Sequence, residues 1–307
     1  MKQTLKKILY TVRPYSLPEV FNFKIGYNFH TEMVYDDAIY AKLLSFCGQY
    51  LQITGKQAIC TLMTGNSPKV AAGMKAFKCP DQKLSDRYHE LSTVATLGYH
   101  GHFYLNPLHW QRYETEIRSN NFSKANLKEQ FDNDLGWLKN YGINHNGLYA
   151  GGWWFMNQHL LALLIDAGFK FDFSFSKSVY FRNQFSHQLM VRNYIKTGQN
   201  FEIQIPGKGK IVEIQNLIGA PSSPLFPDYT RNLLKILDKE QTNVTGVINS
   251  HDYDLNQANT LKLFERFSKM KQISFFDAED LLTNSFNANN RVVQIPATAF
   301  KGPAMNY

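Results

Sequence analysis

The sequence has little cysteine, no long apolar run and no block of one charge, and each absence removes a class of protein. Its three cysteines, Cys47, Cys60 and Cys79, are odd in number and widely spaced. They form neither a disulfide framework nor a paired-cysteine metal knuckle. Cys60 lies in the apolar run AICTLM, the setting of a buried free thiol, so a reducing, cytoplasmic location is the expectation. No apolar run approaches the roughly 18–20 residues that span a bilayer, so no transmembrane segment is expected. The opening MKQTLKKILYTVRPY is basic, but its apolar part is too short for a secretory signal. Residues 1–22 are therefore taken as a basic N-terminal segment. The net charge is +8, yet basic residues are not interleaved with aromatics on one recognisable face, which argues against a nucleic-acid partner.

What is present is ample for a core: 44% hydrophobic and 19% charged residues. From Phe23 the chain alternates short apolar runs with longer amphipathic ones. FKIGYNF reads as a strand, and DAIYAKLLSFCGQYL as a helix with one apolar face. QAICTLMT is a buried-type strand closed by the turn cluster GNSP, and STVATLGYHGHFYL is a third strand. The helix KANLKEQFDNDLGWLKNYG precedes the short strand GLYAG, and a helix capped by Asn157 and ended by Gly168 runs into another strand. GKIVEIQNLIG is strand-like, DYTRNLLKILDKEQ helical, VTGVINSH a strand, QANTLKLFERFSKM a helix, and QISFFDAEDLL a last strand with a short helix. Residues 175–205 lack helical periodicity and read as an insertion or an irregular β segment over one face. The tail 283–307 is polar and is expected to wrap the surface or fray. Strands alternating with helices imply an α/β fold with a parallel sheet, and seven or eight such units close into a barrel. The barrel is placed at residues 23–282.

In such a barrel the working residues gather at the C-terminal ends of strands. YNFHTE puts His30 and Glu32 at one strand end, and LGYHGH puts His100 and His102 at another. Residues two apart on a strand share a face. Glu32, His100 and His102 thus make a His/His/carboxylate set, a common way to hold a divalent cation, Zn²⁺ by donor type, with a position left for water. VINSHDYD brings His251, Asp252 and Asp254 to a late strand end. His251 is the candidate general acid, since an imidazole titrates near neutrality. YAGGWW places Tyr149, Gly152, Trp153 and Trp154 together, the tryptophans serving as core or as a sugar-stacking wall, and Asp172 lies in KFDFS. Asp36 and Asp37 open a helix, where carboxylates cap backbone N–H groups; either would reach the site only if that loop folds back.

In their order these strand ends resemble the polysaccharide deacetylase family (carbohydrate esterase family 4), over about residues 23–282. In FHTE, Glu32 matches the family's metal carboxylate and His30 falls where its catalytic-base aspartate stands. In LGYHGHFYL, His100 matches the first histidine ligand, Tyr104 occupies the second's place, and His102 is its substitute. LYAGGWWFMNQHLLALLIDAGFKFDFSFS is similar to the third motif, with Tyr149 in the place of the arginine that orients the base. GKIVEI resembles the strand ending in Glu-Ile-Pro, with Gln215 for the proline. GVINSHDYDL resembles the last motif and marks His251 as the acid for the leaving amine. The resemblance implies a distorted (β/α) barrel of about seven strands and metal-dependent removal of acetyl from an N-acetylated sugar in surface-polysaccharide biosynthesis. On that reading Glu32, His100 and His102 hold the metal, and His30, or Asp37, accepts the proton of water. Tyr149, Gly152, Trp153, Trp154 and Asp172 then line the carbohydrate site. The alternatives are a barrel that has lost catalysis and binds a glycan or a partner, and a different acyl hydrolysis on the same scaffold.

Overall fold

The computed structural model describes residues 22–112, 121–175, 184–219, 243–283 and 291–295. Among these, eleven strands form one curled sheet. They are β1 (Asn22–Thr31), β2 (Ala58–Leu62), β3 (Ala95–Gly101), β4 (Leu148–Gly151), β5 (Phe171–Asp172), β6 (Phe201–Ile205), β7 (Gly209–Glu213), β8 (Asn216–Gly219), β9 (Asn243–His251), β10 (Ile273–Phe275) and β11 (Arg291–Gln294). The order across the sheet is β11-β6-β7-β5-β4-β3-β2-β1-β9-β8, with β10 paired to β1 off that path. One long edge of β1 is covered by β9 from Asn22 to His30, and the other is divided between β10 and β2. Every pairing is parallel except β6 with β7. The helices are α1 (Asp37–Thr54), α2 (Pro68–Phe77), α3 (Asp81–Leu91), α4 (Lys124–Asn140), α5 (Gln158–Asp166), α6 (Gln184–Arg192), α7 (Gln257–Phe267) and α8 (Ala278–Leu282).

The strand pleat divides β1 between two environments. Phe23, Ile25, Tyr27 and Phe29 face the helices, where the Tyr27 ring lies 5.3 Å from Phe46, 5.8 Å from Tyr50 and 5.3 Å from Phe264. Aromatic pairs of this kind add about 0.5–1.5 kcal/mol each beyond their buried area. The alternate residues, Gly26, Asn28 and His30, face the inside of the curl. There a separate apolar cluster of Ile59, Leu148, Ala150, Phe171, Phe173, Ile214, Val247 and Phe276 fills the lower part. A Cβ on Gly26 would come within 2.6 Å of the Phe276 ring, so the close approach of that ring requires glycine. The inner face thus changes from apolar at its base to Asn28, His30 and Glu32 at the C-terminal end of β1.

The α/β assignment and the parallel sheet agree with expectation, and the strand count does not. The path holds ten strands, not about seven, and it stays open between β8 and β11 among the described residues. GKIVEIQNLIG is two strands in different parts of the sheet, β7 beside β5 and β8 beside β9. The stretch read as an insertion or an irregular β segment supplies the helix α6 and the antiparallel strand β6, whose alternating burial fits a strand with one wet face. The polar tail contributes β11, in register with β6. The helices α2 and α3, of ten and eleven residues, were not expected. The predicted basic segment up to residue 21 and the predicted helix DYTRNLLKILDKEQ lie outside the described residues.

Candidate metal centre

The strand ends of β1, β3, β4 and β9 converge at one rim of the sheet. His30 on β1 is in register with His251 on β9, and His100 on β3 with Ala150 on β4. Glu32, one residue beyond β1, and His102, one beyond β3, turn toward the same point. Glu32, His100 and His102 are buried, and their ligand atoms all lie within 4.8 Å of one another. Glu32 Oε1 is 3.3 Å from His100 Nε2 and 3.2 Å from His102 Nε2, and the two nitrogens are 3.0 Å apart. Donors bonded at about 2.0–2.1 Å around a tetrahedral cation stand about 3.3 Å from each other. The observed triangle has that size.

Protonation states match the geometry. Burial would raise the Glu32 carboxyl, but the neighbouring His102 and His100 outweigh it and hold it well below the usual range. Burial pushes His102 down to about 4 and also lowers His100. A carboxylate and two neutral imidazoles therefore meet. His100 Nδ1–H donates to the Ala150 carbonyl at 2.8 Å, which leaves the Nε2 lone pair aimed inward. At most a single proton on His102 Nε2 separates three buried electron-rich atoms, an arrangement suited to a cation.

Around this triangle the neighbours are fixed by backbone contacts. Asp252, fully buried, accepts the Glu32 amide at 3.0 Å and the Met33 amide at 2.7 Å, which sets the turn that carries Glu32 inward. Burial raises the Asp252 carboxyl to about 7, against the pull of those two amides. A Cβ on Gly152 would fall 2.2 Å from the His102 ring, so glycine is what lets β4 close against that imidazole. Lys69, at the start of α2, is ion-paired with Glu32 Oε2.

His30 is buried, and its ring stacks on His100 at 4.4 Å with its edge near Trp154 at 4.7 Å. Both of its ring nitrogens lack a hydrogen-bond partner. Burial first, then His100 and His251, keep its pKa well below the imidazole norm. His251 stands at the rim, with Nε2 3.6 Å from Glu32 Oε1 and Nδ1 3.2 Å from Asp254 Oδ2. Burial opposes its protonation, but the Asp254 hydrogen bond and the Glu32 charge prevail and its pKa is raised.

Of the residues expected at the site, the structure brings together Glu32, His100, His102, His30, His251, Gly152 and Trp154, with Trp153 beside them on a left-handed turn. Trp153 and Trp154 have φ of 52° and 61°, backbone that side chains rarely adopt and that costs of order 1–3 kcal/mol per residue. Three expectations are corrected. Asp37 does not fold back: its exposed carboxylate pairs with Lys83 and Arg87 at the start of α1, while Asp36 caps the helix. Tyr149 is wholly buried under the sheet, its hydroxyl away from solvent. Asp172 is also wholly buried and accepts the Ser174 amide, and Ser174 in turn accepts the Gly151 amide, so Asp172 braces the glycine turn from behind. Asp252 and Lys69 carry roles that sequence reasoning had not assigned. Asp252 was visible beside His251, whereas nothing in GNSPK marks Lys69.

No family model matches the sequence, and no curated protein matches it. Among solved structures, a candidate polysaccharide deacetylase of Mycobacterium smegmatis superposes with a TM-score of 0.56 at 11% identity, over 92% of this chain and 97% of that one. The 4-alpha-glucanotransferase of Thermococcus litoralis superposes at 0.52 and 10% identity, over 90% of this chain and 42% of that one. A family 4 carbohydrate esterase from Streptomyces lividans, in complex with acetate, scores 0.40 at 11% identity, over 82% and 91%. The chain has a polysaccharide deacetylase-like fold.

Proposed function

We propose that this protein is a metal-dependent hydrolase that removes an acyl group, N-acetyl by preference, from a sugar used in surface-polysaccharide biosynthesis. The observation that carries the reading is the buried Glu32–His100–His102 triangle, three lone-pair donors at the spacing of a tetrahedral zinc face. The position of that triangle at the C-terminal strand ends supports the reading, since parallel α/β barrels carry their working residues there. A divalent cation held there would polarise the acyl carbonyl and make water a better nucleophile near neutral pH.

The chain's own residues supply the rest. His30 is neutral, with both nitrogens unpartnered, the state required of a group that accepts the proton of the attacking water. His251, its pKa raised and its Nδ1 tied to Asp254, is set to give a proton to the leaving nitrogen as the C–N bond breaks. Trp154 excludes water from one side of His30, and the half-buried Trp153 beside it offers an apolar ring to a sugar face.

Metal analysis of the purified protein, paired with acetate release from N-acetylated sugars before and after chelation, tests this. One divalent ion per chain and turnover abolished by chelator are expected, with both lost in Glu32→Gln. A metal-free wild-type protein with no chelator-sensitive turnover overturns the reading.

A further inference from the structure

We propose that Lys69 is a further catalytic residue, whose ammonium binds the acyl oxygen as it becomes negative and then the carboxylate that is released. The proposal rests on the hydrolase reading above.

Lys69 reaches into the site from outside it. Its side chain is 28% exposed while that of Glu32 is 3% exposed, so the ammonium stands at the boundary between solvent and the buried triangle. It pairs with Oε2 of Glu32, whereas both imidazoles approach Oε1. The cation is thus beside the triangle on its outer oxygen and leaves the inner one to the ligand set. Its Nζ also lies 5.6 Å from the centre of the Tyr253 ring, and that ring stacks on His251 at 4.8 Å. The ammonium therefore stands between the Glu32 carboxylate and the ring that backs His251.

An ammonium has three N–H donors. Glu32 takes one, and an aromatic face satisfies electrostatics without fixing a proton. Donors remain for an incoming oxygen, on the solvent side of a buried carboxylate. Among the described residues no other lysine or arginine is ion-paired with the cluster.

The step balances as follows. As the oxygen of water bonds to the acyl carbon, its proton passes to His30 and the carbonyl π pair moves onto the acyl oxygen, which accepts a hydrogen bond from Lys69. When that pair returns, the C–N bond breaks and the nitrogen takes the proton of His251. The acid formed loses its proton to solvent, and the carboxylate faces Lys69 until it leaves. His30 and His251 then recover their starting states by proton exchange with water.

A lysine that only neutralised Glu32 would alter metal affinity and nothing else. The experiment therefore compares the metal-loaded wild-type chain with Lys69→Met and Lys69→Arg, using acetate as the probe in calorimetry and kcat as a second readout. Lys69→Met is expected to keep one metal per chain, to bind acetate at least ~10-fold more weakly and to lose ~10²–10³ in kcat. Lys69→Arg, which keeps the charge, should restore acetate binding to within a few-fold. Acetate affinity and kcat within twofold of wild type in Lys69→Met overturn the proposal, as does a loss confined to metal affinity. A wild-type chain that takes up no metal is recognised separately, because it sinks the hydrolase reading and this proposal with it.

Discussion

Gly152 bears on the candidate metal centre without offering it any atom. A methyl group at that position would overlap the His102 ring, 2.2 Å from Cδ2. The imidazole must shift or β4 must move away. Changes to groups that orient a metal ligand typically cost 10–100-fold in affinity. Gly152→Ala is therefore expected to weaken metal binding by about tenfold or more while the far-ultraviolet circular dichroism stays that of the wild type. Unchanged affinity in a metal titration would show that the ring has room the structure does not provide. The convergence of Glu32, His100 and His102 was legible at this scale because a strand forces residues two apart onto one face, and His100 with His102 and His30 with Glu32 obey that rule. Lys69 was not, and of Asp252 only its place beside His251 was. Their roles come from contacts across 37 and 220 positions of chain, and no local pattern encodes such distances.

Helix α4 is fastened to the sheet through a buried carboxyl. Asp134 on α4 accepts hydrogen bonds from Thr64, just beyond β2, and from Tyr99 on β3, the latter at 2.7 Å. Burial raises its pKa to about 6, although both hydroxyls draw it down. In the unfolded chain the group titrates near 3.9. Between these two values the folded state holds more protons than the unfolded one, so the stability from this group is whole below about pH 4 and is lost as pH rises through about 6. Two pKa units amount to about 3 kcal/mol. Replacing Asp134 by Asn removes the titration, so urea midpoints of variant minus wild type should rise from pH 4 to pH 7.5. A difference that is flat with pH would show that the carboxyl is not buried as described. The elements themselves were unevenly legible. The outer helices α1 and α7 announce themselves by an apolar stripe, and α5, buried nearly all round, by its apolar run and the Asn157 cap. By contrast, β6 and β11 are short and half polar, and only the partner across the sheet makes them strands.

At the level of the molecule, one sheet supports both the two apolar clusters and the rim where the ligands meet. Its outer edge is completed by β11, whose Val293 is buried and whose four residues pair with β6. A chain cut before Arg291 would leave that side of β6 unpaired, a template for association with other strands. Such a truncation is expected to lower the melting temperature by several degrees and to increase light scattering on heating, while the affinity for metal is kept, since β11 is far along the sheet path from β1 and β3. Loss of metal binding in the truncated chain would mean that the edge and the centre are coupled. The parallel α/β architecture could be seen in the sequence because its period changes from two to about 3.6 and back. The ordering of the sheet and its ten-strand path could not, because they depend on which edges find each other in three dimensions.

The pairing of β1 with β9 along nearly its whole length has a consequence for biogenesis. A ribosome delivers β1 more than two hundred residues before its principal neighbour. Until β9 emerges, the strand bearing His30 and Glu32 has one flank bare, and His251 has not been made. The nascent polypeptide therefore stays unassembled at this rim until β9 has been made, so a translation product that stops short of His251 lacks both that imidazole and the strand that flanks β1.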